Sequence, residues 1–478
     1  MFLDSELKMK ILLKIKFFLA ILLTSIVVIG QNNDTIVLNF DEYISRVKKH
    51  HPIAKQADLQ ILKGRANVIN SQGGFDPKLF TDISQKYFDK KQYYSIINSG
   101  LKVPTWFGIE LEAGYEQNHG FFLNPESNNP PAGLWRAGIS VPIGRDLFID
   151  ERRAALKQAK IYQQSTEAER ELLINELLYE SGKAYWEWFR AYHTMKVFEN
   201  ALGITQERFN AVKQAALLGD KPSIDTLQAS IQMQNRKLAL QQAKLDFTNA
   251  TALLSVYLWD SGTVPLEVNT NTIPIAKKLV FESMENENLT NQLDTLINNH
   301  PAMQQYRYKI QQLEIDKRLQ LEQLKPQLDL KYNALNEPVN NDVIANYSPN
   351  NYKWGLQFGF PIFLRKERGK LKLTTIKIQE TQLDMNTKNA SMVYKARSSL
   401  NTWNTTLEQV KLYKKTVKDY KQLLAGEKRL FDKGESSLFL VNYRESSYLN
   451  AEAKLIELVA KNQKTILETN FSLGLLSR

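Results

Sequence analysis

The sequence predicts an α+β protein in which short strands alternate with unusually long helices, one arrangement being used twice along the chain. Three observations predict it. From about 150 to 217 there is no proline and only two glycines, Gly182 and Gly203, and from about 365 to 431 there is again no proline. At 1.5 Å per residue, each of these stretches can extend roughly 100 Å as a helix. The segments ahead of them alternate apolar and polar residues with period two, the signature of a strand with one apolar face. Finally, the order of these parts recurs with matching prolines.

The N-terminus bears on where the chain resides. Lys8, Lys10, Lys14 and Lys16 precede the apolar run "FFLAILLTSIVVI", which ends at Gly30-Gln31. A basic segment, an apolar core of about 13 residues and a small residue at the break form a secretory signal peptide, here 1–30, with Val28 and Gly30 before the cut. Met9 is an alternative start. The run is short of the roughly 20 residues a spanning helix needs. No later segment is apolar enough to span as a helix, so any crossing after residue 31 falls to strands.

Composition excludes several classes. The chain of 478 residues is 43% hydrophobic and 24% charged, a folded rather than a disordered balance. It has no cysteine, which excludes disulfides, thiol chemistry and a lipid-anchoring cysteine. The net charge of +11 is dispersed and carries no nucleic-acid motif, so no nucleic-acid partner is expected.

Self-similarity organises the rest. "YISRVKKHHPIAKQADLQILKGR" around His51 matches "QLDTLINNHPAMQQYRYKIQQLE" around His300. Pro77 and Pro326 stand as far apart as Pro52 and Pro301. "AGISVPIGRDLF" then pairs with "LQFGFPIFLRKE", and "LLGDKPSIDTLQAS" with "FDKGESSLFLVNY". Between Pro77 and Pro142 the first copy is longer than the second by about 30 residues, a local insertion in an otherwise shared plan. His50 has no counterpart, since Asn299 stands in its place. Each His-Pro step is therefore a helix start, with proline in the first turn and the preceding residue held out of the α region.

The elements follow in order. Residues 31–258 form the first repeat, with strands about 78–143 and long helices about 150–217 and 222–258. In "FGIELEAGYE", Leu111, Ala113 and Tyr115 oppose Glu110, Glu112 and Glu116; in "WRAGISV", Trp135, Ala137 and Ile139 oppose Arg136, Gly138 and Ser140. Residues 259–290, rich in turn signals, link the copies. Residues 291–478 form the second repeat, with strands about 326–361 and long helices about 365–431 and 436–475. In "YKWGLQFGF", Tyr352, Trp354, Leu356 and Phe358 oppose Lys353, Gly355 and Gln357. Four strand segments are expected in the first copy and two in the second. Such strands fit a sandwich or a membrane barrel with a wet lumen; aromatics at strand ends and the export signal favour the barrel. After the Gly219 turn, Ile224, Ile231, Leu238, Leu245 and Ala252 stand seven apart, which predicts coiled-coil packing. In the second copy Val441, Tyr448, Leu455, Val459 and Ile466 keep a looser pattern.

The duplicated order of His-Pro helix, strands, Pro-ended strand ("VPIG", "FPIF"), long helix, tip turn ("GDKPSID", "KGESSLF") and return helix resembles the TolC family of outer-membrane efflux proteins over nearly the whole mature chain. The resemblance implies a trimeric TolC-like β-barrel in the cell outer membrane, continued through the periplasm by a long α-helical coiled-coil barrel, with two internal repeats per chain. Each copy then gives two strands, so that three chains close 12. Independently, six strand segments cannot close a membrane barrel of at least eight strands within one chain, and pooling strands removes the open edges. The departure is the insertion containing "YYSIINSGLKVPTWFG", which fits an extra hairpin, a longer strand kinked at Pro104 or an external loop.

No HExxH, GxSxG, P-loop or GxGxxG appears, and His119 and His193 stand outside any such motif, so no catalytic residue, cofactor or metal is expected. The candidate residues lie at the tip turns, which by themselves are αα-hairpin turns. The resemblance makes Leu218, Gly219, Ser223, Gly434, Ser436 and Ser437 docking positions for a periplasmic adaptor, through which an inner-membrane pump is reached. It also makes Asp225 the source of a carboxylate ring at the entrance, with the non-acidic Leu440 and Tyr443 at the comparable places. The expected function is a passive exit duct of a tripartite efflux or type I secretion system. The rival readings are a periplasmic coiled-coil adaptor or interaction protein, and a soluble β-sandwich binding protein.

Overall fold

The computed structural model describes residues 36–269, 271–276, 293–339, 342 and 347–477. The signal segment, residue 270 and residues 277–290 of the inter-repeat linker, and part of the loop after residue 339 lie outside these. Sixteen elements are named in chain order. The first half holds β1 (Ile36–Leu38), α1 (Phe40–His50), α2 (Pro52–Gln72), β2 (Lys78–Phe88), β3 (Lys91–Pro104), β4 (Glu110–His119), β5 (Leu134–Pro142), α3 (Glu151–Leu217) and α4 (Ser223–Ser255). There follow β6 (Thr272–Pro274), α5 (Leu293–Asn298), α6 (Pro301–Glu322), β7 (Gln327–Asn336), β8 (Tyr352–Gly359), α7 (Arg365–Asp432) and α8 (Leu438–Ser472).

The His-Pro steps act as helix starts. His51 and His300 are extended at the N-cap, and each ring Nδ1 accepts the backbone N–H two residues on, from Ile53 and Ala302, both at 3.1 Å. Each ring then packs on the end of a return helix. His51 stacks on Tyr257, 6.0 Å between centroids, just past α4. His300 lies against Gly474, just past α8, where a Cβ would come within 2.8 Å of the ring.

Between these helices lies one antiparallel sheet ordered β2-β3-β4-β5-β7-β8. Its register carries each apolar face across all six strands. Leu79, Leu101, Ala113, Ala137, Ala334 and Tyr352 form one row, and Val103, Leu111, Ile139, Tyr332 and Trp354 the next. On the opposite side Lys78, Lys102, Glu112, Gly138, Asn333 and Lys353 form a polar row. The apolar side is open: Leu79 is 82% and Phe358 68% exposed. Among the described residues the other sheet is the two-stranded parallel pair β1-β6, so no second layer faces these strands as in a sandwich.

The insertion in the first half proves to be a hairpin. β2 and β3 pair through the two-residue turn Asp89–Lys90, where both residues have positive φ, 50° and 59°. That is the turn whose twist matches paired strands, and it normally favours Asn-Gly.

The long helices pack on one another rather than on the faces of the sheet. α3 and α7 run 67 and 68 residues. α3 packs on both α4 and α8, and α8 on α7. Gly182 lets α8 come close to α3, since a Cβ there would stand 2.7 Å from Leu467 Cδ1 on α8. Aromatic residues gather nearby: Tyr43, Tyr185, Trp188 and Phe189 are fully buried. The Tyr185 hydroxyl donates to the Leu38 carbonyl at 2.7 Å, tying β1 to α3.

The seam of α4 differs from the expected heptad. The buried positions are Ala229, Arg236, Ala243 and Ala250, with Leu240 and Leu254. Ile224, Ile231, Leu238 and Leu245 are at least half exposed. Small alanines let α4 approach α3 closely, and the branched residues are left on an outer face of the subunit.

Candidate functional site

Both long hairpins end in the same backbone device. At the first, Gly219 has φ +83°, its N–H reaches the Ala216 carbonyl and that of Asp220 reaches Ala215. At the second, Gly434 has φ +79°, its N–H reaches Phe431 and that of Glu435 reaches Leu430. These paired bonds close the last helical turn, and glycine supplies the left-handed residue they need. The return helices start differently. Ser437 caps α8 by accepting from the Leu440 N–H at 3.3 Å. Pro222 occupies the equivalent place before α4, and Ser223 is the first helical residue rather than the cap.

The proposed tip residues thus separate by role. Leu218 is 78% exposed beside the first turn. Ser436 is engaged within the chain: its hydroxyl donates to Glu427, whose other oxygen lies 3.5 Å from Arg444 Nε. Lys221 stands over the Phe431 ring at 4.9 Å, joining the two turns. Tyr443 lines a groove of about 360 Å³ between α4 and α8 with Ile224, Leu227, Ile231 and Phe439. Asp225 and Leu440 are not among its lining residues.

One cluster is invisible in the sequence. Some three helical turns above the tip, Arg208 on α3 makes a two-pronged bond to Glu445 on α8, at 2.7 and 2.9 Å, and a third to Asn442 at 2.9 Å. Arg236 on α4, 8% exposed, donates to Ser446 at 2.6 Å. The Arg236 guanidinium is held below its ordinary pKa by burial, with Arg208 acting in the same direction and Glu445 opposing. Charged residues on long helices look like solvated faces, and these partners lie over 200 positions apart. The one available signal was Arg236 in register with Ala229, Ala243 and Ala250.

At the sheet end, the polar face holds a network centred on Arg136. It bonds Glu112 at 2.7 Å and Asn98 at 3.0 Å, and lies 5.9 Å from the Phe80 ring. One β5 side chain therefore touches β4, β3 and β2.

A sheet with one apolar and one charged face, joined to hairpins that end in paired tip turns, defines a TolC-like channel fold. Solved structures share it. The open state of the Neisseria gonorrhoeae MtrE outer membrane channel matches with a TM-score of 0.67 and 13% identity, over 91% of this chain and 88% of that one. The Campylobacter jejuni CmeC outer membrane channel matches with a TM-score of 0.62 and 15% identity, over 91% and 85%. The Vibrio cholerae outer membrane protein VceC matches with a TM-score of 0.63 and 12% identity, over 91% and 96%. Residues 293–469 match the family of outer membrane efflux proteins. The chain shares the fold of these channels over about nine tenths of its length, and the match to the efflux-protein family is confined to residues 293–469. No curated protein matches it in sequence.

Proposed function

We propose that the chain is one subunit of a homotrimeric exit duct in the outer membrane. Three copies pool their strands into a barrel, and their helices continue as a tunnel through the periplasm. Substrates move passively from an inner-membrane pump and its periplasmic adaptor, in an efflux or type I secretion system, to the exterior. The observation that carries this reading is a single sheet, apolar on one side and charged on the other, feeding helices about 100 Å long. In a bilayer the apolar side meets lipid and the charged side a wet lumen. Both hairpins spring from strand-bearing halves of one duplicated unit, which a coiled-coil adaptor with a single hairpin lacks.

In this reading Leu218, Gly219, Ser223, Gly434, Ser436 and Ser437 form the adaptor-facing end. The exposed Leu218 supplies contact area, and the glycines and serines shape the turns. Asp225 contributes one carboxylate per subunit to an entrance ring, with Leu440 and Tyr443 beside it. Membrane fractionation with native mass measurement tests the whole: an outer-membrane trimer is expected, and a soluble monomer overturns it. For the ring, Asp225→Ala is expected to weaken cation block and change single-channel conductance; unchanged values remove that assignment.

A further inference from the structure

We propose that each subunit contributes six strands to the barrel wall rather than four, so that β8 of one copy pairs antiparallel with β2 of the next and three copies close 18 strands. This rests on the trimeric reading above and goes beyond it.

The hairpin β2–β3 is built as wall. β2 pairs with β3 over eleven positions and β3 with β4 over ten. Its apolar residues Leu79, Ile83, Ile97 and Leu101 share the face of Ala113 and Ala137. On the polar face Phe80 of β2 lies under Lys102 and Arg136, 5.0 and 5.9 Å from the ring. Arg136 also bonds Asn98 on β3 and Glu112 on β4. A flap folded away from the barrel would abandon this network and leave β4 as the edge.

The open edges are β2 and β8, each with one strand partner among the described residues. Backbone groups left unpaired along a strand in hydrocarbon have no water to satisfy them, so both edges need partners within the membrane. A second copy is the occupant that fits. The six strands alternate in direction, so β2 and β8 run oppositely and each offers the other an antiparallel ladder with the apolar faces on one side. Pairing of this kind repeats from copy to copy until the ring closes, with no strand left over. At a strand spacing near 4.8 Å and a tilt near 40°, 18 strands give a backbone diameter of about 36 Å against about 24 Å for 12. The membrane end is then wide and lined by charge.

The chain lacks cysteine, so disulfide mapping is clean. Leu356→Cys in β8 is combined in turn with Leu79→Cys, Thr81→Cys, Ile83→Cys or Gln85→Cys in β2, all on the lipid side. A parallel set uses Leu111→Cys, Ala113→Cys or Tyr115→Cys in β4. Membranes are oxidised and run on a non-reducing gel. The expected result is a ladder of crosslinked subunits ending at three in at least one β2–β8 combination and none in the β4 set. A β4–β8 ladder, or no ladder in either set while native mass gives three copies, overturns the proposal. A β2–β8 ladder ending at another number keeps the edge pairing and overturns the trimer instead. Counting strands in a cryomicroscopy map of the cysteine-free chain gives the same decision without substitutions, 18 against 12.

Discussion

His51 and His300 each hold a helix start through the ring Nδ1, which must be unprotonated to accept. Burial keeps the His51 imidazole below its ordinary pKa of 6.5. Its neutral form therefore belongs to the folded state: the contribution is complete above about pH 6.5 and is lost as pH falls through the lower folded value. Removing a cap costs about 1 kcal/mol. His51→Ala should lower the urea midpoint of the purified protein by that measure at neutral pH. His51→Asn, which caps without titrating, should stay near the parent and lose less stability on acidification; an equal acid loss in both would show that another group is responsible. At the Asp89–Lys90 turn a lysine sits in the left-handed region, where a non-glycine residue costs roughly 1 kcal/mol. Lys90→Gly is expected to raise the unfolding midpoint by a similar amount. Gly434→Ala should lower it, because no neighbouring atom lies within 4 Å of the added Cβ and the backbone alone is strained.

At the scale of elements, the two hairpins are joined by Arg208–Glu445 and Arg236–Ser446. The Glu445 side chain is 4% exposed, so replacing it with alanine leaves Arg208 without its ion pair and Arg236 without a nearby compensating charge. Breaking such a pair costs about 3 kcal/mol or more. Hydrogen exchange should quicken in both tip hairpins of Glu445→Ala, and a protection pattern like the parent's would deny the joint this role. Which elements were legible in the sequence follows from what each one leaves in it. Strands β4, β5, β7 and β8 show in alternation, because each carries a polar row on one side and an apolar row on the other. The β2–β3 hairpin was harder, since Asp-Lys gives no glycine signal at its turn. Within the subunit the close contact of α4 is made by Ala229, Ala243 and Ala250, which leave a weaker hydrophobic pattern in the sequence than Ile224, Ile231 and Leu238. The Arg208 joint was illegible, because only the folded chain brings its partners together.

For the whole molecule, the assignment of faces has a direct test. Leu356 and Gln357 are neighbours on β8 pointing to opposite sides. A lysine on a lipid face near the bilayer midplane costs about 2–4 kcal/mol, and one on the lumen face far less. Leu356→Lys should reduce assembled, heat-resistant oligomer in the membrane, and Gln357→Lys should leave it near the parental level. The reverse order would turn the sheet inside out.

The Asp89–Lys90 hairpin also says something about how such a duct can change size. In the proposed barrel a hairpin enters the wall as one rising and one descending strand, so parity is kept and the chain returns to the same rim from which it left. Circumference can then grow in whole steps of one hairpin per subunit, while the helices below keep their number and the tip turns their construction. In the proposed duct, mouth and gate are then separately adjustable dimensions: one is set by a discrete count of strands, the other by a few side chains at the far end of the same molecule.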